Sequence, residues 1–135
     1  MVKNLEARFA AYADLVAELD DGALQEKLDI EKHKNIAEHL WCVIGARESY
    51  TKALLHGAWD GFSCSLNSFS KADFQSKLDE SASALVTAIN SIKNWTEERQ
   101  ELLVTLSEHE VMHEGQLIRH LHGIGYAIPP SWRWA

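Results

Sequence analysis

Between Leu102 and His120 the chain places Leu102, Leu106, His109, His113, Gln116 and His120 at steps of four, three, four, three and four. That spacing keeps all six on one stripe of an α-helix. The stripe opens with two leucines, as a core-facing stripe should, and then turns to four side chains able to hydrogen-bond or to bind a metal. Burying a polar group without a partner costs on the order of 1–3 kcal/mol, so imidazoles on a core stripe require partners inside. His109 and His113 lie one turn apart with Cβ atoms roughly 6 Å from each other, which lets two imidazoles share one divalent ion. A metal needs at least a third ligand. His120 is seven residues past His113, about 10 Å along the axis, and is too far for the same ion. The third ligand has to come from a facing helix, where His39 and Cys42 are the candidates. A thiolate suits zinc, nickel or copper. The plainer reading makes the stripe a hydrogen-bonded core and Cys42 a small buried hydrophobe.

His109-Glu110-Val111-Met112-His113 also fits the H-E-x-x-H helix of zinc proteases, with Glu110 as general base. Two observations count against a protease. The chain has no strand pattern, and the longer H-E-x-x-H-x-x-G-x-x-H form fails, because Gln116 and Arg119 stand where its Gly and last His would fall.

Four amphipathic stretches are available to position these residues. The first covers 3–20, with Leu5, Phe9, Tyr12, Val16 and Leu19 on one face and Gly22 after it. The second runs from about Glu31 to His56, stopped by Gly57. Its stripe is Ile36, Leu40, Val43, Tyr50 and Leu54, interrupted by Arg47. A row of smaller or polar residues, His39, Cys42, Ala46, Ser49 and Ala53, lies beside that stripe. The third begins near Ser70, an N-cap type, and buries Phe74, Leu78, Leu85, Ala88 or Ile89, and Ile92. The fourth starts after Thr96 with Glu97 and Glu98 in its first turn, where the dipole favours acids, and ends around His122. Residues 23–31 form a mixed connector. The loop 57–70 is long for such a domain and serves either function or as a packed cover. The prolines of the tail exclude helix, and Trp132 and Trp134 suggest a tail pinned to the body. The expected fold is all-α, a four-helix bundle, with residues 1–135 as one domain.

The 135 residues, 46% hydrophobic and 24% charged, suit a soluble globular domain. No apolar run approaches the roughly 20 residues that span a bilayer, so no membrane partner is expected. The charged N-terminus lacks the apolar segment of a signal peptide, which leads to the expectation of a cytoplasmic protein. Cys42 and Cys64 are too few for a disulfide framework. A net charge of −7 argues against a nucleic-acid partner.

His109-Glu110-x-x-His113, then x-Gly115-Gln116-Leu117-Ile118-x-x-Leu121, then Gly125-x-x-x-Pro129 and the Trp-containing tail resemble the DinB/YfiT-like metalloenzyme family. The stretch Asn35–Tyr50 resembles that family's first ligand-bearing helix, and the resemblance covers about residue 33 to the end. It implies a four-helix bundle, usually a homodimer, holding a divalent metal by three histidines, one from the second helix and two from the fourth. The last two match His109 and His113. The first aligns with Cys42, a departure from the pattern: either Cys42 ligates in its place, or His39 one turn earlier takes over, or the site is degraded. Members of the family include thiol S-transferases and a maleylpyruvate isomerase that use a low-molecular-weight thiol.

The expected function is therefore that of a metal-dependent thiol S-transferase or hydrolase acting on a small molecule. Zinc or nickel is the expected ion, held by Cys42, His109 and His113 with His39 as the alternative third ligand, and activating a thiol or water, with Gln116 and Glu110 as supporting groups around the ligands. The alternatives are a non-catalytic metal-binding protein and a structural bundle whose site has decayed.

Overall fold

The four apolar stripes form four long helices, and a short fifth lies between the first two. In the computed structural model, residues 1–132 are described. The helices are α1 (Val2–Glu18), α2 (Asp21–Gln25), α3 (Ile36–His56), α4 (Lys71–Ser91) and α5 (Glu97–Ile124), and no strand occurs among the described residues. No described helix is long and apolar enough to cross a membrane.

Capping fixes where the helices start and stop. Ser70 accepts from Asp73 N–H and Thr96 from Arg99 N–H, as their side chains predict. Gly57 and Gly125 end α3 and α5 in the left-handed region, at φ 95° and 77°. Two boundaries differ from expectation. The second long helix starts at Ile36 rather than near Glu31, because Asn35 caps it by accepting from Glu38 N–H at 2.8 Å. The segment before it is a turn, closed by His33 N–H to the Ile30 carbonyl at 3.2 Å, with Lys32 in the left-handed region at φ 61°. Asp20 similarly caps a single extra turn of helix, α2, overlapping the expected connector.

One apolar cluster joins the C-terminal half of α1, α2, the N-terminal halves of α3 and α4, and the C-terminal half of α5. A second joins the opposite halves of the four long helices. Hence α1 and α5 run one way, and α3 and α4 the other. α3 packs against both α4 and α5, and α1 packs against α4 and more lightly against α5.

Because α3 and α4 are parallel, the chain between them must return the full length of the bundle. α3 is about 31 Å long for its 21 residues. The segment 57–70 can reach at most about 50 Å. It runs back along the outside of α3: Trp59 packs on Tyr50, Ser63 exchanges hydrogen bonds with Ser49, Ser65 donates to Glu48, and Phe69 reaches Gln25 of α2. Gly45 makes room for this strap, since a methyl group there would overlap the Phe62 ring. The long loop is thus a packed cover imposed by topology.

The tail is pinned at Trp132, which is 3% exposed, donates from Nε1 to the Ala11 carbonyl at 2.8 Å and sets its ring against Tyr12. Trp134 lies outside the described residues.

At the centre of the bundle stands a charge pair. Arg47, which breaks the stripe of α3 in the sequence, is fully buried on it. Its Nε and Nη2 donate to the two Glu110 carboxylate oxygens at 2.7 and 2.9 Å, and Nη1 donates to the Leu78 carbonyl of α4. The guanidinium lies 4.4 Å from the Phe9 ring centre of α1. Removing one partner of such a pair leaves a buried charge and costs about 3–5 kcal/mol, whereas replacing both with apolar groups is often neutral. Glu110→Ala is therefore expected to lower unfolding free energy by about 3–5 kcal/mol. The double variant Arg47→Met/Glu110→Leu is expected to lose less than Glu110→Ala alone, as read from urea unfolding.

Candidate metal centre

The antiparallel packing of α3 on α5 brings the first turn of α3 opposite the middle of α5. His39 Nδ1 lies 2.8 Å from His113 Nδ1, and His113 Nε2 lies 3.2 Å from His109 Nε2. The His39 and His113 rings meet edge to face, as do those of His109 and His113. His39 and His113 are 3% and 2% exposed, and His109 is half-buried. Each His113 nitrogen meets a different neighbour, so one contact uses it as donor and the other as acceptor. His109 Nδ1 is left buried with no hydrogen-bond partner.

Burial keeps these imidazoles neutral. It pulls the His39 pKa down to about 4, helped by the charge of Lys34. His113 is pulled to about 3 by burial and by its two histidine neighbours. His109 is lowered by burial, against the pull of the Glu110 carboxylate. A neutral imidazole keeps a lone pair for a metal, so the donor chemistry suits zinc or nickel. The geometry falls short of a preformed cage: the rings are chained through opposite edges of His113, and among the described residues no three His, Cys, Asp or Glu side chains are grouped to hold an ion.

The other candidate residues are dispersed around this trio. Cys42, one turn beyond His39, is half-buried, is a free thiol and accepts from Lys34 Nζ at 3.3 Å. It lines the cavity described below, and its hydrogen bond among the described residues is to Lys34, not to any of the three imidazoles. Gln116 is exposed and lines that cavity too. The Glu110 carboxylate turns to Arg47 and reaches the histidines only through its charge. That placement, with no strand among the described residues, leaves Glu110 unable to act as the base of a zinc protease. His120 is fully buried in a pair of its own: it lies 2.9 Å from His33, stacks on it, and contacts the Glu26 carbonyl at 3.1 Å.

The buried face of α5 is Leu103, Leu106, Glu110, His113, Glu114, Leu117, His120 and Leu121, with His109 at its border. The sequence stripe lies one position to the side because it passes over the two glutamates. Glu114 is the second: it accepts from Arg8 of α1 at 2.7 Å, and its other oxygen has no partner. Burial raises its carboxyl pKa despite Arg8. The signal for these pairs was Arg47 at a core position of α3 and Arg8 beside the stripe of α1, each a cation requiring a buried acid.

Above the trio opens a cavity of about 470 Å³, lined by Lys32, His33 and Lys34 from the turn before α3, by His39 and Cys42, and by Met112, Gln116 and Arg119 of α5. Leu28, packed over Gly123 where any side chain would clash, helps hold the connector across α5. The sequence reading did not bring Lys32, His33, Lys34 or Arg119 to this place, because they lie on a non-helical turn and on the exposed flank of α5.

No protein-family model and no curated protein matches this chain.

Two histidines held neutral make stability depend on pH. Unfolded, they take protons near pH 6.5; folded, only near 4 and 3. Between those values the unfolded chain binds more protons, so stability is complete above pH 6.5 and falls as the pH drops through that window. The urea midpoint of the metal-free protein is expected to be lower at pH 5 than at pH 7. His113→Asn is expected to flatten that dependence; an unchanged slope would mean that the imidazoles are not protected.

Proposed function

We propose that this chain is a metal-dependent enzyme of the DinB/YfiT-like kind, in which His39, His109 and His113 hold a zinc or nickel ion at the floor of the cavity. The reading rests on one observation above all: three buried or half-buried neutral imidazoles from two helices, linked at 2.8 and 3.2 Å, beneath an open cavity. His39 is preferred to Cys42 as third ligand because its ring already meets His113, whereas the thiol faces Lys34. The orphaned Nδ1 of His109 adds a buried nitrogen that a metal or a ring flip would satisfy.

A divalent ion there supplies acidity, lowering the pKa of a water or low-molecular-weight thiol brought to it. The chain's own residues orient and exclude. Glu110 and Arg47 hold the backbone of α5 so that His109 and His113 face α3. Met112 and Cys42 wall the cavity, and Gln116 at its side offers an amide to the incoming nucleophile or to its target. The reaction class is transfer of a thiol or of water to a small electrophile. The family reading also carries a homodimer, and sedimentation as a monomer at micromolar concentration would count against it.

A second reading has its own observation. The imidazoles form a continuous hydrogen-bonded chain and are not grouped as a ready cage. A bundle with such a core would bind no metal.

Titration of untagged protein with zinc and with cobalt separates the readings. The expected result is one ion per chain, lost in His39→Ala and in His109→Ala and retained in Cys42→Ala, with no sulfur-to-metal charge-transfer band in the cobalt form. A charge-transfer band abolished by Cys42→Ala would restore the thiolate as third ligand. No binding of either ion would leave the hydrogen-bonded core as the function of the trio.

A further inference from the structure

The charges around the cavity have one sign. Lys32, Lys34 and Arg119 line it and no carboxylate does, in a chain whose net charge is −7. The other described arginines are engaged: Arg8 with Glu114, Arg47 with Glu110, and Arg99 with the carbonyls of Leu54, Leu55 and Asn94. Arg119 and Lys32 have no ion pair or side-chain hydrogen bond among the described residues, and Lys34 reaches only a thiol. The cations come from two sides, Lys32 and Lys34 from the turn before α3 and Arg119 from α5, so a small molecule between them would meet both.

We propose that the cavity takes a small anion, a molecule carrying a carboxylate or phosphate group. Arg119 and Lys34 bind that oxyanion, and the remainder of the molecule lies over His39, His109 and His113. This names the substrate class for the reading given above and rests on it for the reactive end; the oxyanion site itself does not need the metal. Guanidinium and ammonium groups make strong charge-assisted hydrogen bonds to an oxyanion, and the guanidinium can do so with two parallel donors.

The electrostatics give a second reason. Lys32, Lys34 and Arg119 share the lining of one cavity with His39, His109 and His113. Adding a divalent cation to neutral ligands beside three cations leaves a positive charge that no lining side chain offsets. A bound anion offsets it. Metal and anion are therefore expected to bind cooperatively, each raising the affinity for the other by the same factor.

The test is a nitrogen-15 amide NMR titration of the metal-free full chain with sodium phosphate and, separately, sodium acetate, at constant ionic strength. Saturable shifts are expected at residues 32–34 and 116–120. Arg119→Gln and Lys34→Gln are each expected to weaken the apparent affinity about tenfold. Lys93→Gln, on the exposed link between α4 and α5, is expected to change nothing, and spectral dispersion reports directly whether each variant is folded. Response to acetate alone marks a carboxylate substrate, and response to phosphate alone marks a phosphate ester. The proposal is overturned if neither anion moves these amides, or if the Arg119→Gln/Lys34→Gln double variant responds like the parent. Repeating the titration with zinc, with zinc uptake measured separately, keeps the two readings apart. Zinc uptake without an anion response defeats the oxyanion site alone, and an anion response without zinc uptake defeats the metal reading alone.

Discussion

The arrangement of this bundle depends on the contact of Arg47 with Glu110. From α3 the guanidinium reaches all three other long helices: the carboxylate of α5, the Leu78 carbonyl of α4, and the aromatic rings of Phe9 and Tyr12 on α1. Tyr12 closes the circuit by donating to the Glu110 carbonyl at 2.6 Å. Apolar packing alone tolerates a helix sliding or rotating by part of a turn, because leucine meets leucine at many registers. A bidentate pair does not, since a small rotation of α5 strands two charges in an apolar interior. The desolvation of such a pair consumes most of its Coulombic gain, so its main consequence is the fixed setting of α5 against α3. His109 and His113 flank Glu110 on the helix. Holding Glu110 toward Arg47 sets the direction in which both rings leave the backbone, and His39, two turns before Arg47, is at the level to meet them.

Charge is layered around that centre. The Arg47–Glu110 pair puts its charges where water does not reach, and Arg8–Glu114 forms a second, nearly buried pair beside it. The next layer is imidazole, and burial makes it neutral. Around the mouth of the cavity the charged side chains are Lys32, Lys34 and Arg119, all cations. A neutral imidazole layer thus lies beneath a cationic mouth, and the low exposure of that layer strengthens whatever electrostatic interaction forms there.

The helices and their ends were legible in the sequence because they are local properties. The stripes of α1 and α4 match the buried faces nearly residue for residue, and Ser70, Thr96, Gly57 and Gly125 cap where side-chain chemistry says they should. What was not legible depends on partners distant in sequence. Glu110 looks like a surface acid or a catalytic base until Arg47 is known to face it, 63 residues earlier in the chain. The stripe drawn through Gln116 was displaced for that reason, and Gln116 is exposed. α3 starts later than the apolar pattern predicts because Lys32, able to continue a helix by propensity, adopts the left-handed backbone of a turn and Asn35 then caps the helix.

The placing of His39 and Cys42 shows the same limit at finer scale. Three residues apart on a helix, their side chains point about 60° from each other, and spacing alone allows either to face the neighbouring helix. The deciding quantity is the rotation of α3 about its own axis, and Arg47 sets it. Arg47 lies eight residues beyond His39, an angular offset of about 80°, and five beyond Cys42, an offset of about 140°. With Arg47 turned inward to Glu110, the offset of His39 still falls on the side shared with α5, whereas that of Cys42 carries it around to the edge where solvent and Lys34 meet it. The same buried cation that fixes the bundle thus selects the imidazole over the thiol for the interior, and leaves the thiol on the cationic rim.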